Sequence, residues 1–146
     1  MSNILGKVTK LFISQLDTQN RVEQNSLKLD CGGVVGDKFY DKNIDRSVLL
    51  TSQDSYNLIK QNNIDIHSGD LGENILIDFD PYILDIDSKI SIGDTILQIT
   101  MECTICKSLK KIDKCVPKLM KTNRGMFAKV IKNGTVSIDD MIKKVD

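Results

Sequence analysis

The sequence predicts a mostly β domain, folded as a twisted antiparallel β-barrel with one or two peripheral helices. Three observations carry that expectation. Short runs rich in Ile, Leu and Val recur along the whole chain, and pleated, half-buried surfaces favour such residues. Turn formers separate the runs, while Pro occurs only at Pro81 and Pro117. Clear helical spacing is confined to one stretch and one shorter, ambiguous stretch.

In chain order, "ILGKVTKLFI" (4–13) alternates imperfectly and reads as a strand. "NSLKLD" (25–30) places Leu27 and Leu29 at strand spacing, and the glycine loop "CGGVVGD" (31–37) follows. "SVLLTS" (47–52) is apolar enough for a buried strand. The clearest helix is "SQDSYNLIKQNN" (52–63), with Ser52 or Thr51 as its cap and Tyr56, Leu58 and Ile59 on its apolar side. "ENILIDF" (73–79) reads as a strand, and "KISIGDTILQIT" (89–100) as two strands bent at Gly93-Asp94. Ile105, Leu109 and Ile112 are at helical spacing, so a short helix is expected there, with Pro117 ending it or just beyond it. "GMFAKVIKNGTVSIDDMIKKV" (125–145) reads as a closing hairpin, because Asn133-Gly134 suits a type I′ turn.

The 146 residues suffice for a single domain over 1–146 with a real core. With 40% apolar and 27% charged residues the chain reads as globular. Trp is absent, so Ile, Leu and Val must build the interior. A formal net charge of zero argues against a general nucleic-acid binder. The N-terminus lacks the apolar centre of a signal peptide, and no apolar run approaches the roughly 20 residues of a membrane span. The expected compartment is the cytoplasm, where thiols stay reduced, so the four cysteines do not imply two disulfides.

Charge is uneven along the chain. Between Gln61 and Glu102 acidic residues dominate, relieved only by Lys89. From Cys103 to Arg124, Lys107, Lys110, Lys111, Lys114, Lys118, Lys121 and Arg124 stand against Asp113. Each run reads either as a solvated face or, in the basic case, as a segment that holds an anion near the thiols.

Three stretches hold groups that could carry chemistry. "GVVGDKFY" (33–40) reads as a turn, or as a loop whose backbone N–H groups meet an anion; it lacks the Lys-Ser/Thr ending of a P-loop. "HSGDLGENI" (67–75) is a turn whose Glu73-Asn74 pair opens an apolar strand, where buried polar groups need partners. His67, the only histidine, reads as a surface residue or a ligand. "MECTICKSLKKIDKC" (101–115) holds Cys103, Cys106 and Cys115 among lysines. Four readings stay open: structural zinc, a redox pair, a reactive thiolate whose pKa the lysines lower, or a buried inert thiol.

Taken in order, "GVVGDKF", "RSVLL", "GDLGENI", "SIGDTILQIT", "CTICKSL" and "RGMFAKVIKNGTV" resemble the MOSC domain family, named for the C-terminal part of molybdenum cofactor sulfurase. The resemblance covers nearly the whole chain and is similar to a compact, stand-alone bacterial branch. Counted from the strand end "IT", Cys106 falls where the family cysteine belongs; judged by the preceding Glu102, Cys103 does. Two positions depart from the family pattern: Phe39 replaces a His after Gly-Asp, and Asp139-Asp140 replaces the last Gly-Asp turn.

The resemblance implies a MOSC-type β-barrel and a role with sulfur or the molybdenum cofactor (molybdopterin). It implies Cys106 or Cys103 as catalytic thiolate, metal ligand or persulfide sulfur carrier. Arg46, Arg124 and nearby lysines would hold the pterin phosphate, with Gly36, Asp37, Glu73, Asn74 and Gly125 shaping the pocket. Implied partners are molybdenum-cofactor biosynthesis proteins or a sulfur donor such as a cysteine desulfurase. Pyridoxal phosphate binding enters as a family-level association. Family members that reduce N-hydroxylated compounds carry an extra N-terminal barrel for which these 146 residues leave no room, so a complete molybdenum reductase is not expected. The alternative is a non-enzymatic assembly module in which Cys103, Cys106 and Cys115 bind zinc.

Overall fold

A computed structural model describes residues 3–15, 21–103, 107–121 and 123–145. Cys106, and Ile105 of the expected helix, lie outside the described residues.

The described strands are β1 (Ile4–Ser14), β2 (Arg21–Gln24), β3 (Ser26–Asp30), β4 (Gly33–Val34), β5 (Val48–Ser52), β6 (Ile75–Ile77), β7 (Lys89–Ile92), β8 (Thr95–Glu102), β9 (Met126–Lys132), β10 (Gly134–Ser137) and β11 (Met141–Val145). The helices are α1 (Gln53–Gln61) and α2 (Val116–Leu119). Short 3₁₀ turns occupy Ile44–Arg46, Pro81–Ile83 and Lys107–Lys111.

The main sheet runs β11-β7-β8-β9-β5-β6-β1 and closes through β1–β11 pairing, which makes a barrel; β2 adds to β1 outside the closed circuit. A smaller sheet runs β10-β3-β4. Pairing is antiparallel except between β5 and β6. That exception follows from α1, because a parallel neighbour needs a crossover and a helix is the usual one. Ser52 caps α1 by accepting from the Asp54 amide at 3.0 Å.

Side-chain alternation divides the apolar residues between two clusters. Val8, Leu11, Leu50, Ile75, Ile77, Ile90, Ile92, Leu97, Ile99 and Ile142 fill the barrel. Phe12, Tyr56, Ile59, Leu71, Leu76, Leu109, Val116 and Met120 pack outside it under the helical segments. β6 therefore reads as an unbroken apolar run because both its faces are covered.

One expectation is corrected. Asn133-Gly134 does not close a hairpin: β10 pairs with β3, while β9 pairs with β5 and β8. Neither residue takes a positive φ. Gly134 is there for close approach, since a Cβ would sit 2.7 Å from the Asp94 Cβ in the β7–β8 turn. Pro117 lies past the Lys107–Lys111 turn, the second of its two expected places, and stands in the first turn of α2, where its missing N–H is harmless. Leu109 is fully buried as the spacing expected, but on a 3₁₀ turn.

Alternation along the closing strand gives a direct check. Ile142 is fully buried, whereas its neighbour Met141 is 45% exposed. Ile142→Ala should cost about 2–4 kcal/mol in urea unfolding, while Met141→Ala stays within about 0.5 kcal/mol of the parent.

Candidate functional site

A cavity of about 340 Å³ opens where the Gly-Asp loop, the 3₁₀ turn at Ile44–Arg46, the start of β6 and the ends of β8 and β9 meet. Its lining includes Arg21, Lys42, Arg46 and Arg124, and the carboxylate of Asp37. Leu49, Phe39 and Phe127 add apolar wall, and Asn74 and Cys103 complete the groups of interest. The excess of cations over carboxylates gives the lining a positive field that suits an anionic ligand.

Asp37 is held in place by the backbone. Its Oδ1 accepts from the Ser14 amide at 2.6 Å and its Oδ2 from the Phe39 amide at 3.0 Å. Arg21 on β2 lies 4.0 Å from Asp37 Oδ1, and its Nη1 donates to the Glu73 carbonyl at 3.5 Å. Burial lowers the Arg21 pKa, opposed by the charges of Asp37 and Glu73. Arg124, 7% exposed, donates from Nε and Nη2 to the Leu71 carbonyl at 3.4 and 3.2 Å. A Cβ added at Gly72 would lie 3.5 Å from Arg124 Nη2 and 3.7 Å from Arg21 Nη2, so both guanidinium groups converge over this glycine. At the opposite wall, the Arg46 guanidinium sits 4.9 Å from the Phe127 ring centroid, a cation–π pair.

Asn74 joins three parts of the fold. Its Oδ1 accepts from the Leu49 amide on β5 at 3.1 Å. Its Nδ2 donates to the Phe12 carbonyl on β1 at 3.3 Å and to Asp37 Oδ1 at 3.4 Å. The donor hydrogens of the amide are thus engaged within the protein, which makes Asn74 a staple of the wall before it is a reader of any ligand.

Glu73 is fully buried beside the cavity and does not line it. The Tyr56 hydroxyl approaches both its carboxyl oxygens at 2.7 Å, and the Gly69 amide donates to Oε2 at 3.1 Å. Burial raises the Glu73 pKa, against the opposing effect of the Tyr56 and Gly69 hydrogen bonds. Burial likewise raises the Tyr56 phenol, with Glu73 adding to it.

Cys103, 5% exposed, follows β8 and donates its amide to the Gly125 carbonyl at 2.9 Å. Gly125 itself does not line the cavity. Its φ is +151°, and an added Cβ would strike the Leu50 carbonyl and lie 2.8 Å from Thr51 Oγ1. The family-type Arg-Gly pair thus divides its work: Arg124 faces the cavity, and Gly125 permits close passage against β5. The Tyr82 hydroxyl accepts from the Gly125 amide at 3.0 Å and lies 3.2 Å from the Gly125 carbonyl. Burial raises the Tyr82 phenol pKa.

The structure therefore brings Cys103, Asp37, Arg46, Asn74 and Arg124 to one cavity, and leaves Gly36, Glu73 and Gly125 off its lining. Cys115 is exposed before α2, outside the lining. Among the described residues no three His, Cys, Asp or Glu side chains are placed to hold a metal ion. His67 is exposed and lies 3.8 Å from Asp70. Phe39, at the position of the family His, is 48% exposed at the cavity mouth. Arg21, Lys42 and Phe127 were not singled out in the sequence. A lone charged residue on a four-residue strand carries no local signal; Phe127, two residues after Gly125, had only its place in the Arg-Gly strand to mark it.

Two measurements follow from this network. Asn74→Ala should cost about 2–3 kcal/mol in urea unfolding, since it leaves the Leu49 amide buried without its partner. Because the folded state raises the Glu73 pKa above its ordinary 4.5, the native protein holds a proton that the unfolded chain releases. The Glu73 contribution is full below that value and is lost as pH rises through the folded pKa. The unfolding free energy of Glu73→Gln relative to the parent should therefore climb with pH above 4.5, at no more than about 1.4 kcal/mol per pH unit.

The architecture has close counterparts. The YUAD protein from Bacillus subtilis superposes with a TM-score of 0.83 at 18% identity, covering 94% of this chain and 93% of that one. YiiM from Geobacillus stearothermophilus gives a TM-score of 0.76 at 12% identity, covering 96% and 75%. YiiM from Escherichia coli gives 0.69 at 19% identity, covering 94% and 69%. At these identities the likeness establishes the fold. No curated protein matches the sequence. The family model of the MOSC domain matches residues 34–143, a span that carries most of the barrel and nearly all of the cavity lining, and the chain belongs to the MOSC domain family.

Proposed function

We propose that this MOSC domain binds the molybdenum cofactor through its pterin phosphate, or carries sulfur for it as a persulfide, with a cysteine thiolate at the cavity as the working group. Membership of the family supports a role in molybdenum-cofactor handling in the broad sense. The observation that carries the finer reading is the placement of Cys103 on the same cavity wall system as Arg21, Lys42, Arg46 and Arg124.

The chemistry of the donor set fits such a group. Zinc in a structural site takes four protein ligands, and of the cysteines that would hold it Cys103 lines the cavity while Cys115 is exposed outside the lining. A pterin cofactor brings sulfur ligands of its own, so it needs only a soft protein thiolate beside donors for its phosphate. Cys103 and the arginines supply those two needs. When bound, the cofactor would supply molybdenum redox chemistry.

Within the chain, Arg124 and Arg21 would take the phosphate over Gly72 by charge-assisted hydrogen bonds, with Arg46 and Lys42 adding positive field at the mouth. Asp37 and Asn74 hold the wall, and Phe39 and Phe127 add apolar surface to it. As a sulfur carrier, the Cys103 thiolate would attack the outer sulfur of a donor persulfide, such as that of a cysteine desulfurase. A new S–S bond forms as the donor's thiolate leaves. Cys106 is the second candidate for the same thiol role.

The test is purification under reducing conditions from cells that make the cofactor, followed by oxidation and fluorescence detection of the pterin. The parent should yield pterin, and Cys103→Ser and Arg21→Ala should each lose about tenfold of it, the worth of one ordinary charge-assisted contact. Loss confined to Cys106→Ser moves the role to that residue. Retention in both serine variants sinks the thiol reading. Stoichiometric zinc in place of pterin, removable only with loss of fold, favours the assembly module of Cys103, Cys106 and Cys115.

A further inference from the structure

We infer that Tyr82, which does not line the cavity, is the positioning residue that sets the cysteine and the most buried arginine of the pocket against each other. The inference rests on the reading that the cavity acts through Cys103. Its basis is a short chain of hydrogen bonds on either side of one glycine.

The Tyr82 hydroxyl accepts from the Gly125 amide at 3.0 Å and lies within donating reach of the Gly125 carbonyl at 3.2 Å. That same carbonyl accepts the Cys103 amide at 2.9 Å. The residue before Gly125 is Arg124, whose carbonyl accepts from Thr51 Oγ1 at 2.9 Å and whose guanidinium faces the cavity. One hydroxyl thus grips Gly125 through both of its peptide groups: the N–H shared with Arg124, and the carbonyl that accepts from Cys103.

The grip has a rigid base. The Tyr82 ring packs against the barrel core. Its own backbone is fixed by the Pro81–Ile83 turn, where the Tyr82 amide donates to Asp80 Oδ1 at 2.9 Å. On the far side, Gly125 runs so close to β5 that no Cβ fits. The Arg124–Gly125 segment is clamped between β5 and the Tyr82 hydroxyl, and Cys103 is tied to the clamp through its amide. β8 ends at Glu102, so this tie carries the β8–β9 pairing one residue past the strand. Tyr82 lies outside the cavity, so its part is to place groups and not to touch ligand.

The test needs no ligand, so its failure is distinguishable from failure of the cofactor reading. The parent carries serine at Cys31, Cys106 and Cys115, leaving Cys103 to react. In Tyr82→Phe, alkylation of Cys103 by iodoacetamide at pH 8 should accelerate by about tenfold, the factor carried by one lost hydrogen bond of ordinary strength. Tyr40→Phe is the control. It also loses a tyrosine hydroxyl bond, to Asp30 at 2.6 Å, but away from the cavity, and its rate should stay within about twofold of the parent. A merely structural role would speed both variants in step with lost stability. In ¹H–¹⁵N spectra the Cys103 amide, Gly125 amide and Arg124 Nε–H signals should all move in Tyr82→Phe and hold still in Tyr40→Phe. An unchanged alkylation rate, or motion of only one of the three signals, overturns the inference. If Tyr82→Phe does not fold, hydrogen exchange in the parent decides: the three N–H groups, each compared with its own intrinsic rate, should show one common protection factor, and separate factors overturn it.

Discussion

The pocket depends on the side-chain amide of Asn74. A barrel wall is held by backbone ladders, but at the start of β6 three segments meet that no ladder can join together. β1 arrives on one side, β5 on the other, and the Gly-Asp loop passes over the end. Asn74 bonds to all of them: to Leu49, to Phe12 and to Asp37. Its own backbone bridges the same pair, donating to the Leu49 carbonyl at 3.0 Å and accepting from the Phe12 amide at 2.8 Å. A buried amide so fully engaged fixes position because each donor or acceptor left unmade would be costly. Asp37, already held by the Ser14 and Phe39 amides, is tied to the same point, with Arg21 4.0 Å away.

Glu73, one residue earlier, shows how the same strand start handles an acid. Its carboxyl group faces away from the cavity into a nest of Tyr56 and Gly69. Burial penalises its charged form, which limits how far it can cancel the guanidinium groups above it. Asp37 is then the carboxylate that tempers the lining, and the balance stays positive. The arrangement separates two tasks that lie adjacent in the sequence: Asn74 shapes the wall, and Glu73 anchors the loop beneath it.

Much of the barrel was legible in the sequence because period-two burial and turn chemistry are local. The β7–β8 hairpin around Gly93-Asp94, the capped helix after Ser52 and the apolar run at Ile75–Ile77 all follow from neighbours in sequence. The failure at Asn133-Gly134 is instructive. The dipeptide has the composition of a tight turn, yet Gly134 is required by Asp94, a residue 40 positions away, and local pattern cannot show such crowding. The need for partners at Glu73-Asn74 was legible; their identity was not, since Tyr56, Phe12 and Leu49 reach them only through the fold. Arg21 was invisible for the same reason. The thiols were legible as a cluster but not as a site: the barrel brings Cys103 to the arginines and leaves Cys115 exposed.

The barrel closes where β1 meets β11, with Ile4 opposite Lys143 and Lys7 opposite Met141. The seam joins the first and last of the described strands, which are far apart in the order of synthesis. Until β11 has emerged, the facing borders of β1 and β7 have no partner, and each presents open backbone to any strand it meets. Closure of this barrel therefore waits for β11 to be made, and nascent chains are most exposed to mispairing, and to the chaperones that prevent it, in the interval before that strand is released.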